Sequence, residues 1–415
     1  MKKLIYLLLI VFGSVAGQDI SIEQCFDLAV KNHPLYSKSS SIDEMHNLKK
    51  ENLQTNWYPQ LSMNAQATYQ DPIISIDLPI PIDFPSPSPD QYKTWIDVKQ
   101  NIYDGGVTKT LKEIEEQSKT ADLLEQEVNI DKVKFVVSEL YFNILILDHQ
   151  IKQLELTNAE LNDKLDVTSS LVNQGVILQS NYDGLKGEVL KMNQQLIAVR
   201  FKRQSLMKVL LKYIDSQEDS LHLIQPLVIP DEKYNINRKE YQLFKANQDK
   251  ISLYQNLQKK QNYPKFYGFS QVGYGNPGLN MLNDSFEPYY IIGAGISWNI
   301  TDWNKTKRNI REKQLMINDI ELMKNNFNLE VNTAIEKTMS EINSYKELID
   351  SDKEIIELYK NIASTASSQF DNGTINSAEY LGELNKEKQA VLASEIHKLR
   401  YMQSIVNLKL LTGEL

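Results

Sequence analysis

The chain has 415 residues, 41% of them apolar and 24% charged. That is too polar for a bundle of membrane-crossing helices and too rich in patterned apolar residues for a disordered chain. A net charge of −9, from 45 basic and 54 acidic residues, argues against nucleic-acid binding. The single cysteine excludes an intramolecular disulfide and a multi-cysteine metal or iron–sulfur centre.

Met1-Lys2-Lys3 and the apolar run Leu4–Phe12 precede the small residues Gly13-Ser14-Val15-Ala16-Gly17. This pattern predicts a secretory signal peptide over residues 1–17, cut after Gly17. Losing Lys2 and Lys3 would take the net charge from −9 to −11. Cys25 lies well beyond the apolar run and reads as a small core residue of the first helix, not a lipidation site. No later window approaches about 18 apolar residues, so no transmembrane helix is expected in the mature chain. The protein is expected to be exported, and either soluble outside the cytoplasm or inserted as a barrel.

The rest reads as two copies of one unit. Asn101-Ile102-Tyr103-Asp104-Gly105-Gly106 returns as Asn299-Ile300-Thr301-Asp302-Trp303-Asn304, and Ser169–Gly175 returns as Ser367–Gly373, both at a shift of 198. Tyr58-Pro59 returns as Tyr263-Pro264 at a shift of 205. Repeat 1 is placed at 18–215, a linker at 216–236 and repeat 2 at 237–415.

Within repeat 1 the patterning predicts a helix over 21–56, broken at His33-Pro34, and strands at 61–70 and 92–102. A long helix over 104–172 and a helix over 179–214 follow. Repeat 2 predicts a helix near 238–261, strands at 265–275 and 289–300, a long helix over 302–371 and a helix over 376–411. Leu140, Ile144, Leu147, Ile151, Leu154, Asn158, Leu161 and Leu165 alternate spacings of four and three. Ile342, Tyr345, Ile349, Asp352, Ile356, Tyr359, Ala363, Ala366 and Phe370 do the same. Such a 3.5-residue repeat is a coiled-coil seam. A helix of this size is roughly 100 Å long, which calls for a rod or a tube.

In Leu61–Gln70 every odd position is apolar or aromatic and every even one polar. Strand 92–102 alternates apart from Trp95, strand 289–300 alternates apart from Ile291, and residues 266–274 alternate poorly. Strands of about ten residues can cross an outer membrane at a tilt. The same alternation also fits a soluble hairpin with one face packed on helices. Four strands cannot close a membrane barrel, so lipid insertion would require a cyclic oligomer. Pro79, Pro81, Pro85, Pro87 and Pro89 stiffen one inter-strand loop, and Asn276-Pro277-Gly278 opens the other.

Taken together, Ser21–Pro34, Tyr58-Pro59, Gln100–Gly106 and the duplicated Gly175 and Gly373 turns resemble the TolC-like outer membrane efflux family, over essentially the whole mature chain. The resemblance implies an α+β membrane protein, built from a duplicated unit of long coiled-coil helices and two amphipathic strands. It implies a homotrimer forming a 12-stranded outer-membrane β-barrel continued by a periplasmic α-helical tunnel. The implied function is a passive exit duct of a tripartite efflux or type I secretion system. Its partners would be outer-membrane lipid, a periplasmic adaptor (membrane fusion protein) and an inner-membrane pump of RND or ABC type. The alternative is a soluble periplasmic coiled-coil adaptor or scaffold.

By the same resemblance, the helical turns Gln174-Gly175-Val176 and Asn372-Gly373-Thr374 are candidate adaptor contacts. Family members narrow the tunnel nearby with acidic rings and polar ties. Glu379 takes the carboxylate position after the second Gly, whereas Asn181 stands at the equivalent place after the first, and Gly382 occupies a second position often acidic. Asp183 and Glu383 lie close enough to supply charge instead, and Phe370 stands where an aromatic tie is expected. A threefold ring of Glu379 would repel itself and could bind cations, while a solvated helix face fits it equally. Ser62, Asn64, Gln66, Thr68 and Gln70 would give the barrel a neutral, wet lumen.

No Walker loop, dinucleotide fingerprint, G-x-S-x-G or H-E-x-x-H motif is present. His33, His46, His149, His222 and His397 are scattered, so zinc is not expected. Asp71, Asp77, Asp83 and Asp90 read as a solvated loop face. No cofactor, metal, nucleic-acid partner or enzymatic activity is expected.

Overall fold

The computed structural model describes residues 19–73, 86–218, 221–227 and 234–415. The expected signal peptide, Asp77, Pro79, Pro81, Asp83 and Pro85 lie outside the described residues. The chain opens with a short strand β1 (Asp19–Ile20) and helix α1 (Ile22–Lys31). Ser21 and Gln24 form a reciprocal capping box at the start of α1, with N···O distances of 3.3 and 2.9 Å. Buried Ile22, Cys25, Phe26 and Ala29 make its inner stripe. Burial pushes the Cys25 thiol up to about 12, with the charge of Glu23 adding to it.

Two runs of the same element order follow. The first is α2 (Lys38–Gln54), a 3-10 turn (Thr55–Trp57), β2 (Gln60–Tyr69), β3 (Asp90–Tyr103), α3 (Val107–Asn173) and α4 (Gln179–Ile214). After β4 (His222–Leu223) come α5 (Lys239–Lys260), β5 (Lys265–Asn276), β6 (Glu287–Ser297), α6 (Lys305–Asp371) and α7 (Ser377–Thr412). The segment predicted as one broken helix over 21–56 is two helices, separated around His33-Pro34.

Both long helices start three residues later than the patterning predicts. In the first run Gly105 and Gly106 have φ of 76° and 81°, and Asp104 accepts the amides of Gly106 and Thr108 at 2.9 and 2.6 Å. In the second, Trp303 and Asn304 have φ of 52° and 62°, and Asp302 accepts the Thr306 amide at 2.8 Å. A left-handed pair followed by an aspartate cap is a turn into a helix, not helix itself. The last strand ends at Ser297 rather than 300, because Ser297 pairs with Lys265, where β5 begins.

The residues cluster into two compact units that cut across the sequence repeats. Of the described residues, one takes those up to Ser37, Gln126–Lys239 and Asn326–Leu415, and the other those of Lys38–Glu125 and Glu240–Asn325. The core of the first gathers Cys25 and Phe26 from α1, Val137, Tyr141 and Phe142 from α3, Leu210 from α4 and Leu399 from α7. Its small parallel sheet pairs β1 with β4, and the Tyr141 hydroxyl lies 2.9 Å from the Ile20 carbonyl and 2.6 Å from that of Ile224.

The second unit holds a four-stranded antiparallel sheet in the order β2-β3-β5-β6. Buried His46 on α2 lies between two carboxylates of α3, Glu115 at 2.9 Å and Asp122 at 3.0 Å. The two copies are tied to their long helices alike: Asn56 Nδ2 donates to Thr108 Oγ1 at 3.2 Å, and Asn262 Nδ2 donates to Thr306 Oγ1. Among the described residues no helix is long and apolar enough to cross a membrane.

Gly105 is the tightest point of the first turn, where a Cβ would lie 2.9 Å from both the Lys260 carbonyl and the Tyr263 Cβ. Gly105→Ala should lower the unfolding free energy by at least roughly 1–2 kcal/mol, the cost of the left-handed backbone alone. Urea unfolding of the purified protein, with Gly106→Ala as the less crowded comparison, measures it.

Candidate functional site

Two regions carry the candidate residues, one in each unit. In the first unit both hairpin turns close by the same backbone motif. The Gly175 amide donates to Val172 and the Val176 amide to Leu171, each at 2.9 Å. Gly373 donates to Phe370 and Thr374 to Gln369, again at 2.9 Å. With φ of 75° and 66°, these glycines make paired Schellman turns, which satisfy the last carbonyls of α3 and α6. Gln174, Gly175, Val176, Asn372, Gly373 and Thr374 are all exposed.

The two hairpins are joined behind these turns. Asn181 of α4 accepts the Ser377 amide at 2.9 Å, which satisfies one of the free N–H groups at the start of α7. Glu379 completes a capping box with Asn376, at 3.0 and 3.3 Å. Asp183 accepts from Gln179 at 3.0 Å, and Glu383 pairs with Lys386 at 2.9 Å. Phe370, at 1% exposure, stacks on Tyr380 with ring centroids 5.3 Å apart, inside a cluster with Leu161, Leu185, Val189 and Leu384. Its ring packs the hairpins together and is not presented to solvent. A groove of about 500 Å³ beside α6 and α7 is lined by Asn361, Thr365, Gln369, Ile375, Glu379 and Glu383 among others.

Sequence patterning missed Lys164. Its ammonium holds Ser367 at 2.9 Å and both Asp371 oxygens at 2.8 Å, and it lies 5.4 Å from the Tyr380 ring centroid. Lys164 stands next to the seam residue Leu165, a position where periodicity records only a polar flank. Burial pushes the Tyr380 hydroxyl up to about 12, and the nearby charges of Glu160 and Asp371 add to it.

In the second unit the sheet has two unlike faces. Leu61, Met63, Ile96, Val272, Tyr290, Ile292 and Ile296 share one face, with Met63 at 76% and Ile292 at 78% exposure. The opposite face holds Ser62, Asn64, Gln66 and Thr68 on β2, while Gln70 follows the strand. That face is not neutral, because Lys93, Asp97 and Lys99 pair directly with Gln66, Ser62 and Gln60. Asp97 organises it, accepting from Asn64 at 2.8 Å, Trp95 at 2.7 Å and Gln271 at 3.0 Å. Trp95, the exception to alternation, thus has its N–H satisfied on the polar side. Further across, Tyr267 faces Gly295 and Phe269 faces Gly293, where a Cβ would come within 2.6 Å of either ring.

A tyrosine with a folded pKa above the ordinary 10 stabilises the fold fully below pH 10, and that contribution is lost as the pH rises towards 12. Stability measured by denaturant titration should therefore fall more steeply over this window in the wild type than in Tyr380→Phe. Equal slopes in the two proteins would remove Tyr380 from the alkaline transition.

The family model described as outer membrane efflux protein matches residues 51–213. No curated protein matches the sequence. Solved structures match in fold at low identity. The outer membrane channel CmeC of Campylobacter jejuni is 13% identical, with TM-score 0.69, over 94% of this chain and 85% of that one. The outer membrane protein VceC of Vibrio cholerae is 11% identical, with TM-score 0.66, over 95% of both chains. The open state of the MtrE outer membrane channel of Neisseria gonorrhoeae is 13% identical, with TM-score 0.66, over 94% and 88%. The family match thus covers residues 51–213, and the fold of the solved outer membrane channels is shared along nearly the whole chain.

Proposed function

We propose that the protein is a passive outer-membrane exit duct, working as a homotrimer with a periplasmic adaptor and an inner-membrane pump. The observation that carries this reading is the bare apolar face of a sheet whose outer strands, β2 and β6, each have one free edge among the described residues. Water penalises that face and lipid does not, while lipid penalises the free edges unless other strands pair with them. Three copies would supply twelve strands, within the range of membrane barrels. The polar face would then line the lumen through Ser62, Asn64, Gln66 and Thr68, with Gln70 at its end and Asp97 adding charge.

In this reading the exposed turns Gln174-Gly175-Val176 and Asn372-Gly373-Thr374 meet the adaptor, and the groove beside Glu379 is the recess it enters. Glu379, Asp183 and Glu383 supply the negative charge of the periplasmic constriction. Asn181 and Phe370 set its geometry from behind, one by capping α7 and the other by packing. The pump is of the RND or ABC class and selects the cargo. The subunit makes and breaks no bond.

The first test is extraction of the mature protein from outer membranes in mild detergent, followed by mass measurement and planar-bilayer conductance. A particle of three chains that conducts ions supports the duct. A monomer or dimer in the soluble periplasmic fraction would return the hairpins to a coiled-coil scaffold. Ile292→Arg on the apolar face should reduce insertion by about 2–4 kcal/mol, the cost of arginine near the middle of a bilayer. Gln66→Arg on the polar face should leave insertion intact, as read by heat-modifiable mobility in gels.

A further inference from the structure

The junction between the sheet and its helices carries charge that the duct reading leaves unused. Residues 259–265 and 299–311 hold seven Lys and Arg against one Asp, in a chain of net charge −9. The two segments form one patch. Trp298 Nε1 donates to the Asn262 carbonyl at 3.1 Å, Asn262 Nδ2 reaches Asp302 at 3.4 Å, and Asn309 donates to Gln258 at 2.8 Å. Asp302 is engaged in capping α6 through the Thr306 amide.

Lys259, Lys265, Lys305, Lys307, Arg308 and Arg311 are exposed, and none has a carboxylate partner among the described residues. Arg308 donates to the Trp303 carbonyl at 3.0 Å, and Lys260 is held by Thr110 at 2.7 Å. Local stability does not account for these cations. Lys305, Lys307 and Arg308 open α6, where the helix dipole favours acidic residues, and the first turn has none. The patch borders exposed Tyr263, Trp298, Ile300 and Trp303, the last at 87% exposure. They lie at the helix end of the sheet, Tyr263 just before β5 and the other three just beyond β6. Aromatic rings beside an apolar face, followed by unpaired cations, match the layers of a membrane interface whose headgroups are anionic.

We propose that this patch docks on anionic phospholipid headgroups of the leaflet facing the helices. The proposal rests on the outer-membrane reading above and adds the lipid that the periplasmic end of the barrel selects. The test uses the full mature protein, reconstituted into vesicles of phosphatidylcholine alone or with about a third phosphatidylglycerol; wild type should prefer the second by at least roughly tenfold, less so at high salt. The combined Lys305→Gln, Lys307→Gln and Arg311→Gln variant should lose most of that preference yet still enter phosphatidylcholine. Lys305→Arg with Lys307→Arg should keep it.

A neutralised variant with undiminished preference overturns the proposal. So does equal partition of wild type between the two vesicles, which would hand the cations to an acidic protein partner. Failure to enter either vesicle would overturn the outer-membrane reading itself.

Discussion

The rest of the structure depends on the unmet backbone of a four-stranded sheet. Among the described residues β2 and β6 each pair on one side only, so a row of N–H and C=O groups on either edge lacks a strand partner there. An open edge beside a bare apolar face is an aggregation template in water and costs several kcal/mol per unpaired group in lipid. In the proposed duct, closure by strands of identical chains would meet both demands. The helices must then leave the sheet at a fixed point, or the strand ends would lose register. The Asp104 and Asp302 caps, each with a left-handed pair beside it, set that point in both copies.

Much of this could be read from the residues. The 198-residue shift, the paired turn glycines and the alternation of residues 61–70 are local signals, because each is set by backbone period or backbone sign. Lateral partners were not legible. Nothing in the spacing tells that Asn181 would cap α7, or that Lys164 would reach Ser367 and Asp371. Those contacts join residues about 200 positions apart, and a period records which face is apolar, not which polar group crosses between helices. The two-residue strands β1 and β4 are likewise too short to carry a pattern.

Polar residues in the apolar seams follow the same division. Asn158 and Asp352 interrupt their heptads, and sequence alone cannot distinguish a fault from a feature. In the fold Asn158 donates to Asn193 at 3.1 Å, and buried Asp352 lies 2.9 Å from His397 Nδ1. A polar pair inside a coiled coil is matched in one register and exposed as a mismatch in its neighbours, so it specifies alignment at some cost in stability. Helices of 67 residues need such markers, because a seam of apolar residues alone tolerates sliding by a heptad.

The weak alternation of residues 266–274 has its own physical reason. On β2 and β3 the two faces differ in polarity, and Asp97 links the polar one by hydrogen bonds. On β5 and β6 the face continuous with the polar one is written in size instead. Tyr267 opposes Gly295, Phe269 opposes Gly293, and Tyr289 opposes Gly273. Each ring shields a strand backbone that glycine would otherwise leave exposed, and glycine in turn gives the ring room to lie close. A scan for polar-apolar periodicity finds nothing there, because large and small residues have taken over the code. The duplicated halves thus keep one topology while filling the same face by different chemistry, which is why the repeat is plain in the turns and faint in the strands.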